Sequence, residues 1–229
     1  MKMDVKSKKI IDLITPRIFI ILLVFFSMVG LFALITNEIV LVNETTFDEG
    51  AFQFIGQYKS EKATQIFTFF TFFGSGTFLL PAYLLIISFY IFFSKNVRRS
   101  IKITIVGLSS TALLFTTKYY FHRQRPVNPL ITNVSGFSFP SGHSFSSFIL
   151  CGIVMYIIIK STISTPFKWI CSSLIFSTAL IIALSRVYLR VHYASDAIAG
   201  FCLSLIWLVI SFWVLTFILP SKKAIHTVS

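Results

Sequence analysis

Long apolar runs alternate with short polar stretches along this chain. The runs lie at about 18–36, 77–94, 101–118, 144–160, 169–185 and 197–219. Crossing a hydrocarbon core of roughly 30 Å takes about 20 residues of helix, so the pattern predicts six membrane-spanning helices and an all-α, polytopic membrane protein. The first run follows a basic stretch (Lys2, Lys6, Lys8, Lys9, Arg17), the polarity of a signal peptide. It is longer than a typical signal core and ends in Ile35-Thr36-Asn37-Glu38, with no small-residue cleavage pattern, so it reads as a retained helix.

The connection between the first two runs, about 37–76, is too long for a simple turn. Thr46-Phe47-Asp48-Glu49 has the form of a capping box and predicts a short helix through Phe52, Phe54 and Ile55. The Phe-rich segment 63–76 is too short to span a membrane alone. It fits an interfacial helix with its aromatics at headgroup level, or the outer end of a long second helix interrupted at Gly74-Ser75-Gly76. The reading adopted is an outward interfacial helical segment that guides a lipid substrate or anchors the chain.

Composition narrows the class. Hydrophobic residues make up 55% of the chain and charged ones 12%, with a mean hydropathy of +0.84, which excludes a water-soluble domain. A net charge of +12 would by itself suggest nucleic acid, but the basic residues fall into two groups. One group comprises the N-terminal stretch, Lys95/Arg98/Arg99/Lys102, Lys160/Lys168 and Lys222/Lys223. All of these lie on one side if six helices alternate, and the positive-inside rule makes that side the cytoplasm. Both termini are then cytoplasmic, and the first, third and fifth connections face outward from the cell membrane. Neither repeat nor linker divides the chain, so residues 1–229 read as a single integral-membrane domain. Cys151, Cys171 and Cys202 lie within runs at spacings unlike a metal site, so they read as small buried residues.

The second basic group coincides with three polar clusters at the outward ends of the runs. Lys118 and Arg125 are seven residues apart, two turns along one face if the helix continues, with Pro126 marking its exit. The bland alternative is snorkelling cations at a helix end. Pro140-Ser141-Gly142-His143 leads straight into an apolar helix, where free amides and a close-approaching glycine suit an anion, although such a tetrapeptide is also an ordinary turn. Arg186 is followed by His192 and then Asp196, the only carboxylate in the second half of the chain. A helical i, i+4 relation lets Asp196 hold one ring nitrogen of His192 and leave the other free to attack; the alternative is a His–Asp pair that caps the last helix. His122, Arg123 and Arg190 read as headgroup contacts, and Tyr119, Tyr120, Tyr188 and Tyr193 as an aromatic belt.

In order, K-x6-R-P (Lys118 to Pro126), P-S-G-H (Pro140 to His143) and S-R-x5-H-x3-D (Ser185 to Asp196) closely resemble the three signature motifs of the type 2 phosphatidic acid phosphatase superfamily. The resemblance covers 118–196 directly. It implies that Lys118, Arg125, Arg186, Ser141 and the Gly142 amide bind phosphate oxygens. It further implies that His192 attacks phosphorus to form a phosphohistidine, that Asp196 orients it, and that His143 protonates the leaving group and then activates water.

The chemistry of the residues agrees. Phosphoryl transfer needs in-line positioning and cations around the equatorial oxygens, and here side chains supply them. With no carboxylate cluster to hold Mg²⁺, neither metal nor cofactor is expected. The function expected is a membrane lipid phosphate phosphatase acting at the outer face on phosphatidylglycerol phosphate or phosphatidic acid. The expected partners are that lipid phosphate and the surrounding membrane lipids, and no nucleic acid. An undecaprenyl-pyrophosphate phosphatase shares the motifs. A transporter with an anion-binding mouth is the alternative of a different class, and its sites would sit near the midplane rather than at helix ends. A haem protein using His143 and His192 as ligands is a third.

Overall fold

A computed structural model describes residues 16–132 and 134–219. The basic stretch at 2–9, the Arg17 side chain, Lys222/Lys223 and Asn133 lie outside the described residues. The helices are α1 (Pro16–Ile35, continued by a π turn at Thr36–Leu41), α2 (Thr46–Gly56) and α3 (Glu61–Phe72). They continue with α4 (Gly76–Ser88, continued by a π turn at Phe89–Phe93), α5 (Val97–Phe121), α6 (Gly142–Ile159), α7 (Thr165–Tyr188) and α8 (Ala194–Ile218). Among the described residues there is no strand. Six stretches are long and apolar enough to cross a membrane, and each overlaps a predicted apolar run: Ile18–Leu41, Glu61–Phe93, Val97–Phe121, Gly142–Ile159, Thr165–Tyr188 and Ala194–Ile218; the second starts at Glu61 rather than at 77, so it takes in α3 as well as α4.

The surface is apolar where a soluble protein's would be polar. Phe19, Leu85, Phe92, Phe93 and Trp169 are each more than 60% exposed, the exterior of a helix bundle whose outer solvent is lipid. The interior forms around α6, α7 and α8, with α1 along α8 and α4 along α5. Val106, Phe145, Ile149, Ile153, Leu203 and Leu208 form the main core. Pro81 sits inside α4 without an amide to donate, an interruption that membrane helices tolerate.

Two contacts align the ends of α6 and α8. The Ser141 amide donates to the Asp196 carbonyl at 3.0 Å, and Ser144 Oγ donates to the Ala197 carbonyl at 2.8 Å. Gly200 makes this approach possible. A Cβ there would lie 2.9 Å from the Ser141 carbonyl oxygen and 3.1 Å from the Phe145 amide nitrogen.

The first connection holds both helices expected in it, with one local correction. α2 begins at Thr46 with Thr45 as its N-cap and no side-chain cap bond, so the capping box is not formed. With the cap one residue early, Asp48 rather than Glu49 takes the third helical position, and Glu44 Oε1 accepts from the Thr46 amide at 2.7 Å. Asp48 instead turns inward and is 1% exposed. α3 starts from a true cap, Ser60 Oγ accepting from the Ala63 amide at 3.1 Å. It lies along the end of α7, with the Phe67 and Tyr188 rings 4.4 Å apart and Thr64 Oγ1 3.2 Å from the Tyr188 hydroxyl. The chain breaks at Phe73-Gly74-Ser75 before α4.

Candidate active site

Four helix ends, of α5, α6, α7 and α8, and the loop at 122–141 converge at the end of the bundle that carries α2 and α3. The last turn of α5 supplies Lys118. The helix does not continue to Arg125: it closes at Phe121 with His122 in the left-handed region (φ 49°), its amide donating to the Lys118 carbonyl at 3.2 Å. The expected pairing of Lys118 and Arg125 along one helix face is therefore corrected, and Pro126 is not the terminator. A left-handed C-cap ends the helix first.

Arg125 reaches the site because residues 122–141 fold back across it. Its Nε donates to the Gly136 carbonyl at 2.8 Å, Nη2 to Ser135 at 2.9 Å and Nη1 to Val191 at 2.8 Å, and Nη1 also lies 3.1 Å from His192 Nε2. Lys118 Nζ donates to the Phe137 carbonyl of the same loop at 2.7 Å. The two cations thus meet through the loop's carbonyls.

The Pro140–His143 turn opens α6 as expected. Gly142 leaves room beside Lys118, whose Cε would be 3.6 Å from a Cβ there. Ser141 is fully buried and is the N-cap of α6, its Oγ 3.5 Å from the Ser144 amide. It lies behind the cavity wall rather than on it.

Arg186 occupies the last turn of α7, 4% exposed, and its Nη1 donates to Thr71 Oγ1 of α3 at 2.6 Å. Its Nε has no hydrogen-bond partner among the described residues. The chain then turns sharply, with the His192 amide donating to the Arg186 carbonyl at 3.2 Å. His192 precedes the N-cap of α8, Tyr193, and Asp196 is the third residue inside that helix. The expected helical i, i+4 geometry is thus corrected: Asp196 reaches back across the cap, accepting from the Tyr193 amide at 2.9 Å, and its Oδ2 lies 3.5 Å from His192 Nδ1. That separation is an electrostatic contact rather than a short hydrogen bond. Ser138 Oγ donates to the same carboxylate oxygen and lies 3.4 Å from His192 Nδ1.

Lys118, Arg125, Gly142, His143, Arg186 and His192 all line one cavity of about 650 Å³, whose wall continues into Leu79, Leu80, Leu114 and Phe115. Asp196, wholly buried, lies behind His192. Burial, opposed by Asp196 and reinforced by Lys118 and Arg125, pushes the His192 imidazole down to about 4, so it is neutral near pH 7.

Sequence reasoning missed the residues behind the histidine. Arg123, read as a headgroup contact, is only 12% exposed and donates from Nη1 to Asp196 Oδ1 at 2.6 Å and from Nη2 to Asp48 Oδ2 at 2.8 Å. Asp48 also accepts from the Ser195 amide at 2.9 Å and from Ser195 Oγ at 2.6 Å. Arg123 sits in the first motif and was visible there, but its partners lie 73 and 75 residues away and no local pattern announces them. Arg190 stacks over the Phe52 ring at 4.8 Å, and His122 packs on Phe137, so neither joins the cavity. Among the described residues no group of three or more His, Cys, Asp or Glu could hold a metal ion.

Known proteins resemble this chain in sequence and in fold. Phosphatidylglycerophosphatase B of Bacillus subtilis is 31% identical over 146 residues, which cover 62% of this chain and 70% of that protein. The crystal structure of a transmembrane PAP2-type phosphatidylglycerolphosphate phosphatase from Bacillus subtilis superposes with a TM-score of 0.76 at 24% identity, covering 86% of this chain and 98% of the other. Aquifex aeolicus LpxE superposes with a TM-score of 0.55 at 24% identity, covering 71% and 92%. The model of the PAP2 superfamily matches residues 100–219, a stretch that contains all three motifs and every cation on the cavity wall. The chain belongs to the PAP2 superfamily and is a multi-pass membrane phosphatase.

Proposed function

We propose that this protein hydrolyses the phosphomonoester of a membrane lipid, phosphatidylglycerol phosphate or phosphatidic acid, at the outer face of the cell membrane through a phosphohistidine on His192. One observation carries the reading. His192 turns Nε2 into a cavity walled by Lys118, Arg125 and Arg186, while its Nδ1 faces Asp196.

In the first step the Nε2 lone pair attacks phosphorus, the bond to the lipid oxygen breaks, and His143 gives that oxygen a proton. In the second, His143 takes a proton from water, the water oxygen attacks phosphorus, and the P–N bond breaks to release inorganic phosphate. Asp196 offsets the positive charge that the imidazole acquires in between. The three cations hold the equatorial oxygens, with Arg186 Nε and the first-turn amides of α6 as further donors. Because fixed cations perform the charge neutralisation that Mg²⁺ provides elsewhere, the reaction is metal-independent in this reading, and activity persists in chelator.

The apolar wall of Leu79, Leu80, Leu114 and Phe115 supports a lipid substrate, since acyl chains can lie where the headgroup cavity meets α4 and α5. A monoester is favoured over a pyrophosphate because the two further arginines of the motif segments do not line the cavity: Arg123 is held by Asp48 and Asp196, and Arg190 stacks on Phe52. Sidedness follows from charge. Lys95, Arg98, Arg99, Lys102 and Lys160 gather around a cavity of about 630 Å³ at the other end of the bundle, which the positive-inside rule makes cytoplasmic.

The test is phosphate release from phosphatidylglycerol phosphate, phosphatidic acid and undecaprenyl pyrophosphate, with His192→Ala as the blank. Release from the two monoesters, lowered on the order of 10³-fold or more in the variant, is expected. Full activity of His192→Ala removes the nucleophile, and preference for the pyrophosphate overturns the substrate class.

A further inference from the structure

We propose that Arg123 and Asp48 are positioning residues for the nucleophile, and that α2 thereby belongs to the active site. Asp48 lies on α2, outside the three motifs, and bridges to Asp196 through the guanidinium of Arg123. The inference rests on the reading of His192 as nucleophile.

The Asp196 carboxylate is wholly buried and every direction around it is taken: Tyr193 amide, Ser138 hydroxyl and His192 on Oδ2, Arg123 on Oδ1. Arg123 is itself fixed on three sides. Its head donates to both carboxylates and to Ser195 Oγ at 2.8 Å, and its plane lies 4.0 Å from the Tyr193 ring centre. Asp48 has all its bonds within this unit, to Ser195 and Arg123. Rotation of the Asp196 carboxylate would therefore break bonds to three separate chain segments, which is how a buried network holds one geometry.

A lone guanidinium on Asp196 would neutralise the carboxylate that His192 needs when its ring becomes positive. Asp48 offsets that guanidinium, so two carboxylates share one cation and the unit behind the imidazole stays net negative. The groups on the other side of His192 are Lys118 of α5, Arg125 of the loop, His143 of α6 and Arg186 of α7, all basic. The negative unit is therefore the sole electrostatic support, among the described residues, for a charged imidazole.

Removing the two outer members should move His192 in opposite directions. Asp48→Asn, nearly isosteric, takes away negative charge, so the acid limb of kcat/KM should shift to lower pH and the plateau kcat should fall by about threefold at most, as a less basic imidazole is a weaker nucleophile. Arg123→Gln takes away positive charge, so the acid limb should move to higher pH. Arg123→Lys, which keeps the charge but loses the fork, should leave the limb near wild type with a reduced kcat. A shift of about half a unit in each direction is the expected scale. Ionisation of the substrate is common to all variants and cancels in the comparison.

A purely structural role would lower activity without moving the limb, so a folded Asp48→Asn protein whose acid limb coincides with wild type overturns the proposal. Should Arg123→Gln not fold, Asp48→Asn and Arg123→Lys still decide it. His192→Ala run alongside separates the two readings. An active His192→Ala enzyme defeats the nucleophile assignment, whereas an inactive one with unshifted limbs in the other variants defeats only the positioning role.

Discussion

His192 is held neutral, the state that the proposed attack on phosphorus needs, by being almost wholly out of water, with cations on one side and a carboxylate on the other. The same burial has a cost in stability that depends on pH. An unfolded histidine takes its proton near 6.5 and the folded one near 4, so between these values the unfolded chain binds more protons. Stability should therefore fall as pH drops from about 6.5 to about 4 and lose nothing more from this residue below that, by roughly 3 kcal/mol in all. Melting curves in detergent across this window should show a smaller acid-side drop in Tm for His192→Asn than for wild type. At this scale the sequence spoke clearly for Lys118, Arg125, His143, Arg186 and His192, because their spacing is a chemical signature. It was silent on Arg123, whose side chain at a helix end looks the same in sequence whether it meets a headgroup or a buried carboxylate.

Apolar runs announced where the helices lie, but their polar ends, where the proposed chemistry sits, were harder to read. α7 runs on through Arg186, and α5 stops short of Arg125, since side-chain and loop contacts rather than hydropathy settle where these helices close. The break between α3 and α4 shows the same limit. Gly74 is there because of its surroundings: a Cβ would lie 2.6 Å from Ile182 Cγ2, 3.0 Å from Ser147 Oγ and 3.1 Å from His143 Cδ2. Gly74→Ala should therefore press on the proposed acid and lower phosphate release more than it lowers Tm, with a destabilisation of about 1–3 kcal/mol. Gly200→Ala should be worse on both measures, because the two nearest atoms it meets are backbone of the Ser141–Phe145 turn and the third is the Ser144 Cβ, none of which can swing aside. Equal losses in the two variants would mean that the neighbours of Gly74 are as unyielding as backbone.

For the molecule as a whole, the alternation of six spans and the separation of charge were legible from the chain alone. Excess basic residues mark one end and the motifs the other, and the bundle keeps them apart. In a background with the three native cysteines replaced by alanine, a membrane-impermeant thiol reagent should label Val127→Cys on intact cells and Lys95→Cys only after permeabilisation. The reverse pattern would turn the protein over in the membrane. What the sequence left unread was how the first connection is used, since α2 and α3 touch the motif helices through contacts that span more than a hundred residues, as between Thr71 and Arg186 or Asp48 and Ser195.

The turn joining α6 to α7, residues 160–164, lies at the far end from His143 and Arg186. Those two side chains owe their alignment to sideways contact between neighbouring helices and to the strapping of α3 across them, not to that covalent join. A backbone nicked there would still hold the two halves of the pocket in register by lateral adhesion. The proposed site is an assembly of rod tips, and which of the rods happen to be tied together at their other ends should matter little to it.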